Sequence, residues 1–192
     1  MENKKLVTFQ DIVKNDEIKT YLEKGNKYIG TLGFTDHSLL HAQRAAKIAH
    51  MILTSLGFDK RTAELARIAG YMHDIGNAVN RKQHAEYGAI LANSILEKTD
   101  MSLEDRVTVV SAIGNHDEST GGAMDVISAA LIIADKTDVR RSRVRVQDRA
   151  DFDIHDTVNY AVTKTEILLN DEKDVITLNL EIDESICSMY EY

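Results

Sequence analysis

The chain has 192 residues, 43% of them apolar, which gives one domain ample material for a hydrophobic core. It contains no apolar run of about 18 residues, which excludes a spanning helix, and Met1-Glu2-Asn3-Lys4-Lys5 lacks the apolar stretch of a signal peptide. The net charge of −8 is uneven: Asp151 to Tyr192 holds eleven acids against two lysines, leaving +1 for the first 150 residues, a balance that excludes an extended nucleic-acid track.

A single cysteine, Cys187, excludes an intrachain disulfide and fits a cytoplasmic setting, where it is expected to be an inert, half-buried thiol. Proline is absent, which favours long helices.

In chain order, Ile12, Val13, Ile18, Tyr21 and Leu22 predict a short amphipathic helix from Asp11 to Lys24. Gly25 to Thr35 reads as a connection. Asp36 is the expected cap of a helix carrying Leu40, Ala45, Ile48, Ala49, Ile52 and Leu56, which Gly57 stops. Asp59 caps the next helix, where Ala66, Ala69, Gly70 and His73 share a face small enough for another helix to approach closely. Gly76 to Lys82 is a turn, and His84 opens a helix through Leu96. Ser102 caps a helix from Leu103 to about Asn115, Glu118 to Gly122 is a loop, and Asp125 to about Arg140 is an apolar helix. From Thr165 the pattern alternates around the polar stretch Asn170 to Asp174, as in a β-hairpin. The expected fold is an all-α helical bundle with a small C-terminal β-hairpin, one domain over 1–192, its core at 35–149 and an extension at 150–192.

Histidines and aspartates fall at the inner faces or ends of five successive segments. His41 lies on the apolar side of its helix, where a lone histidine is ordinarily a satisfied core residue. His73-Asp74 closes the following helix, and an aspartate there opposes the helix dipole unless a cation offsets it. His84 begins a helix and His116 ends one. Asp135 interrupts Ala129-Ala130-Leu131-Ile132-Ile133-Ala134, where an unpaired carboxylate costs several kcal/mol if buried. Imidazole and carboxylate without thiolate suit manganese, iron, zinc or nickel. Six ligands exceed what one open metal site needs, and two metals sharing Asp74 account for them.

The order His41…His73-Asp74…His84…His116…Asp135 resembles the HD-domain superfamily of metal-dependent phosphohydrolases, in its six-ligand, two-metal form. His41-Ala42-Gln43-Arg44-Ala45-Ala46, His84-Ala85-Glu86-Tyr87-Gly88-Ala89 and Ala134-Asp135-Lys136 are similar to that family's ligand segments. The layout is most similar to bacterial hydrolases of dinucleoside polyphosphates, with two departures. Asn77 stands where many relatives have lysine, and His84 follows Asp74 after only ten residues.

The resemblance implies hydrolysis of a phosphate ester or anhydride, with a nucleotide as the expected small-molecule substrate. His41, His73 and Asp135 would bind one divalent ion, His84 and His116 the second, and Asp74 both, around a bridging hydroxide. Iron or manganese is expected ahead of zinc or nickel. His37 is an alternative first ligand or a substrate contact, one turn before His41. Lys136 is expected to assist catalysis, and Lys136, Arg44, Arg140 and Arg141 to contact phosphate; arginine's planar fork matches phosphate oxygens. Arg143, Arg145 and Arg149 read as a solvated basic face, and His50 and His155 as surface residues. Gly121-Gly122 is either a closing loop or a plain turn. Two other readings remain: an HD-type diiron oxygenase, and a non-catalytic sensor or interaction module. The hairpin edge makes a homodimer conceivable.

Overall fold

In the computed structural model, which describes residues 6–146 and 152–187, the helices pack as closely as alanine and glycine permit. Among the described residues they are α1 (Phe9–Val13), α2 (Asp16–Thr31), α3 (Leu39–Leu56), α4 (Lys60–Met72), α5 (His84–Leu96), α6 (Leu103–Gly114), α7 (Val126–Lys136) and α8 (Ile154–Ala161). Two 3-10 turns, Ile75–Ala78 and Arg141–Arg143, join them. A β-hairpin of β1 (Val162–Leu169) and β2 (Ile176–Ile182) follows. The all-α bundle with a small C-terminal hairpin is therefore the observed fold.

α3 and α4 form the central pair, with α7 packed on both and α6 on α4. Ala42, Ala46 and Ala49 of α3 and Ala66 and Ala69 of α4 are all buried in the same core. A Cβ on Gly70 would lie 2.8 Å from the Ala46 Cα, so the small face of α4 does admit α3 at close range. Tyr71, Ile68, Leu53, Leu96 and Ile113 fill the core around this contact.

Four expectations are corrected. The N-terminal helix is two helices, broken where Asn15 caps α2 by accepting from the Glu17 and Ile18 amides. α2 then runs through Gly25 and Gly30 rather than ending before them. A Cβ on Gly25 would fall 2.9 Å from the Ala78 nitrogen, so this glycine serves a close approach to the 3-10 turn and not a break. α3 is capped by Ser38, not Asp36, whose carboxylate instead accepts from the Ser38 amide and hydroxyl. Finally, α7 ends at Lys136, and Arg140 is extended.

The hairpin pairs Ile167 with Leu178 and Leu169 with Ile176, in antiparallel register around the expected turn. α8 has no counterpart in the periodicity reading. It is capped by Asp153 and packs beside the second 3-10 turn, next to the site described below. Cys187 is fully buried. No helix among the described residues is long and apolar enough to cross a membrane.

Candidate metal centre

Helix ends assemble this site. His73 caps the C-terminus of α4, His84 opens α5, His116 follows α6, Asp135 lies in the last turn of α7, and His41 lies in the first turn of α3. The rings of His73, His84 and His116 each place Nδ1 on the carbonyl three residues back, on Gly70 at 2.8 Å, Arg81 at 3.0 Å and Ile113 at 2.6 Å. His41 Nδ1 meets Asp138 Oδ2 at 2.8 Å. Carbonyl and carboxylate oxygens accept only, so Nδ1 carries the proton in all four rings and Nε2 is turned to the centre.

There the six predicted residues converge. His41 Nε2 is 3.5 Å from Asp74 Oδ2 and 3.2 Å from Asp135 Oδ1. His73 Nε2 is 3.2 Å from Asp74 Oδ2 and 3.5 Å from Asp135 Oδ1. On the other side, His84 Nε2 is 3.8 Å from Asp74 Oδ1 and 3.1 Å from His116 Nε2. The sets His41–His73–Asp74, His73–His116–Asp135 and Asp74–His84–His116 each bring their ligand atoms within 4.8 Å of one another, close enough to hold a metal ion.

The electrostatics fit a cation. Burial opposes charge on Asp74 and Asp135, yet His73 and His41 hold both carboxyls well below the usual range. Burial likewise opposes charge on His73, but Asp74 and Asp135 carry it up to about 10. Burial lowers His84, and burial together with the His73 charge lowers His116 to about 4. His84 and His116 are thus neutral, with both Nδ1 protons directed outward, and their Nε2 lone pairs face each other. Asp74 Oδ2 is buried without a hydrogen-bond partner. A divalent ion between these atoms would relieve both defects.

A cavity of about 320 Å³ opens beside Asp135, lined among others by Phe34, His37, Arg81, Lys136, Arg143 and His155. His37 lies before the helix rather than one turn along it, buried, with Nδ1 on the Thr35 carbonyl and Nε2 accepting from Arg143. Both ring nitrogens of His37 are occupied, whereas His41 turns Nε2 to the centre and remains the candidate ligand. Lys136 lines the cavity with Nζ 2.6 Å from Glu118.

The other expected phosphate contacts lie elsewhere. Arg44 and Arg140 both donate to Asp138 Oδ1, at 2.6 and 3.0 Å, and Arg141 donates to the Tyr160 carbonyl. The inference for Arg140 assumed a helix that ends four residues earlier. Arg143, expected in solvent, is buried: it donates to the Asp36 and Asp138 carbonyls and to His37. Arg145 donates to the Asn26 carbonyl, and Arg149 lies outside the described residues. His155, expected on the plain surface, is exposed but lines the cavity with Asp153 and Asn159 of the α8 region.

Sequence reading missed Asp138 and Arg81. Asp138 sits three residues past Asp135, where an acid in a basic run looked like surface. Arg81 lies in the turn before His84.

Comparison with known proteins agrees with the geometry. The family model described as HD domain matches residues 35–157. An uncharacterised protein of Methanocaldococcus jannaschii is 27% identical over 190 residues, covering 87% of this chain and 73% of that protein. Ribonuclease Y of Aquifex aeolicus is 38% identical over 98 residues, 47% of this chain but 16% of the enzyme. For ribonuclease Y of Helicobacter pylori the identity is 29%, over 76% of this chain and 26% of the enzyme. The chain thus spans about a quarter or less of these two ribonucleases. A crystal structure of a predicted HD superfamily hydrolase from an uncultured Thermotogales bacterium aligns with TM-score 0.49 and 25% identity, covering 65% of this chain and 67% of that one.

Proposed function

The chain belongs to the HD domain family, and from that premise we propose that it is a metal-dependent phosphohydrolase that cleaves a phosphate ester or anhydride, with a nucleotide as substrate. One observation carries the reading: Asp74 turns Oδ2 toward His41 and His73 and Oδ1 toward His84. A single carboxylate between two imidazole sets suits two cations.

In this reading His41, His73 and Asp135 hold one divalent ion, His84 and His116 the other, and Asp74 both. Ions so held lower the pKa of water and offset charge on phosphoryl oxygens. The chain's own groups prepare the geometry. The four Nδ1 hydrogen bonds fix ring orientation, and Asn77 Nδ2, 2.6 Å from Asp74 Oδ1, fixes the shared carboxylate. Lys136, at the cavity beside Asp135, would exchange Glu118 for a phosphoryl oxygen and stabilise its developing charge. The relatives named ribonuclease Y make RNA a second candidate substrate class to test beside a nucleotide.

Metal analysis of purified protein should find about two transition-metal ions per chain, with hydrolysis of a nucleotide panel depending on them. Asp74→Ala should abolish both metal and turnover. Stoichiometric metal in that variant would remove the shared role of Asp74, and oxygen consumption by an iron-loaded protein that releases no phosphate would replace hydrolysis with oxygenation.

A further inference from the structure

The nitrogen-bearing side chains lining the cavity differ in what they have left to offer. Arg143 is committed at Nε, Nη1 and Nη2, to Asp36, Asp138 and His37. His37 is engaged on both ring nitrogens. Lys136 is paired with Glu118, a partner it would give up for a phosphoryl oxygen in the reading above. Arg81 is different. Its described hydrogen bond uses Nη1 alone, at 3.1 Å from Asn77 Oδ1, and its guanidinium lies 5.3 Å over the Phe34 ring. The same Nη1 is 3.8 Å from Asp74 Oδ1, the oxygen that Asn77 also contacts.

Resting on the hydrolase reading above, we infer that Arg81 binds the substrate's phosphate, and that the substrate is a phosphomonoester of mononucleotide size rather than a nucleic-acid chain. A guanidinium beside a carboxylate that is to hold two divalent cations is repelled by them unless an anion lies between. Asn77 and Phe34 keep Arg81 from swinging away, so the arrangement is balanced when a phosphate occupies that gap. Arginine retains donors to meet two phosphate oxygens at once.

Size and charge define the rest of the ligand. At about 320 Å³ the cavity is at the small end for ligand sites. Phe34, Val139 and Val158 supply an apolar wall, and Asp153 in the same lining disfavours a second phosphate beside it. An uncharged nucleoside fits that wall, whereas a polyanion running past it does not. In the reaction the oxygen of water bonds to phosphorus and the ester P–O bond breaks. The departing alkoxide takes a proton, giving an alcohol and inorganic phosphate.

The test uses metal-loaded full chain, with inorganic phosphate as the calorimetric probe and a nucleoside monophosphate and an RNA oligonucleotide as substrates. Arg81→Gln should weaken phosphate binding by about tenfold or more and raise KM for the monophosphate similarly. Metal content and Tm should be unchanged, because the Arg81 carbonyl that holds His84 remains, and Arg81→Lys should restore part of the binding. Unchanged phosphate affinity in Arg81→Gln, or metal lost from it, would overturn the contact. A higher kcat/KM for the oligonucleotide than for the monophosphate would overturn the substrate class. Wild-type protein that binds phosphate through Arg81 yet hydrolyses nothing would uphold the contact and remove the hydrolase reading instead.

Discussion

Asp138 Oδ2 lies 2.8 Å from His41 Nδ1, while Arg44 and Arg140 grip the other oxygen of the same carboxylate at 2.6 and 3.0 Å. Burial opposes ionisation of Asp138, but the bond to His41 and the neighbouring arginines hold it well below the usual carboxylate range. The buried anion fixes the tautomer of His41 and raises the basicity of its Nε2. Asp138→Asn keeps the shape but removes the charge. It should weaken metal binding by about 10- to 100-fold, the usual cost of losing such a partner. Chelator competition would read this directly, and unchanged affinity would show that Asp138 is only packing.

The same relationship marks what the sequence could and could not reveal. His41, His73, Asp74, His84, His116 and Asp135 were legible because each is a polar residue where an apolar periodicity or a helix end makes it anomalous. Gly70 was legible as a close-approach residue because its neighbours at helical spacing are alanines. Gly25 was not, because a glycine that admits the backbone of a distant turn looks, along the chain, like one that ends a helix. The surroundings of the arginines were hidden for a related reason. Spacing from Asp135 presumed that α7 continued, but the chain leaves the helix after Lys136, and Asp138 turns the guanidinium groups of Arg44 and Arg140 to itself. α8 offered only a short amphipathic stretch, and its role depends on a tertiary contact.

Gly76 is required by the site rather than by a turn. A Cβ there would clash with the His84 carbonyl oxygen and lie 2.5 Å from the Gly88 nitrogen, both backbone atoms of α5. Backbone cannot give way as a flexible side chain can. Gly76→Ala should therefore cost about 1–3 kcal/mol or more in urea unfolding and displace His84, lowering metal content as well. Wild-type stability in this variant would mean that α5 shifts freely against the 3-10 turn.

His37 should make folding sensitive to acid. Burial, reinforced by Arg143, His41 and Arg81, pulls its pKa down to about 3 despite the opposing charge of Asp74. The unfolded value is about 6.5, so between these two the unfolded chain binds the extra proton. The contribution of His37 is present in full above pH about 6.5 and is lost as pH falls toward 3. Denaturant titrations of metal-free protein at pH 7.5 and 5 should show a loss of stability that is smaller in His37→Gln. Equal losses in the two proteins would assign the acid sensitivity to other groups.

The two halves of the centre should be separable. His84 and His116 face each other at 3.1 Å on the Oδ1 side of Asp74, whereas His41 and Asp135 are 3.2 Å apart on the Oδ2 side. His84→Ala removes one ligand from the first half and touches none in the second, whose rings remain anchored through the Gly70 carbonyl and Asp138. This variant should retain about one ion per chain, against about two in wild type and none in Asp74→Ala, since a site left with His116 and one carboxylate oxygen falls short of the usual three protein ligands. Metal content and chelator-dependent Tm would be measured together, because a bound ion stabilises the fold in proportion to its occupancy. Loss of both ions from His84→Ala would show that the halves bind only as a unit, and retention of both would show that His84 is not a ligand.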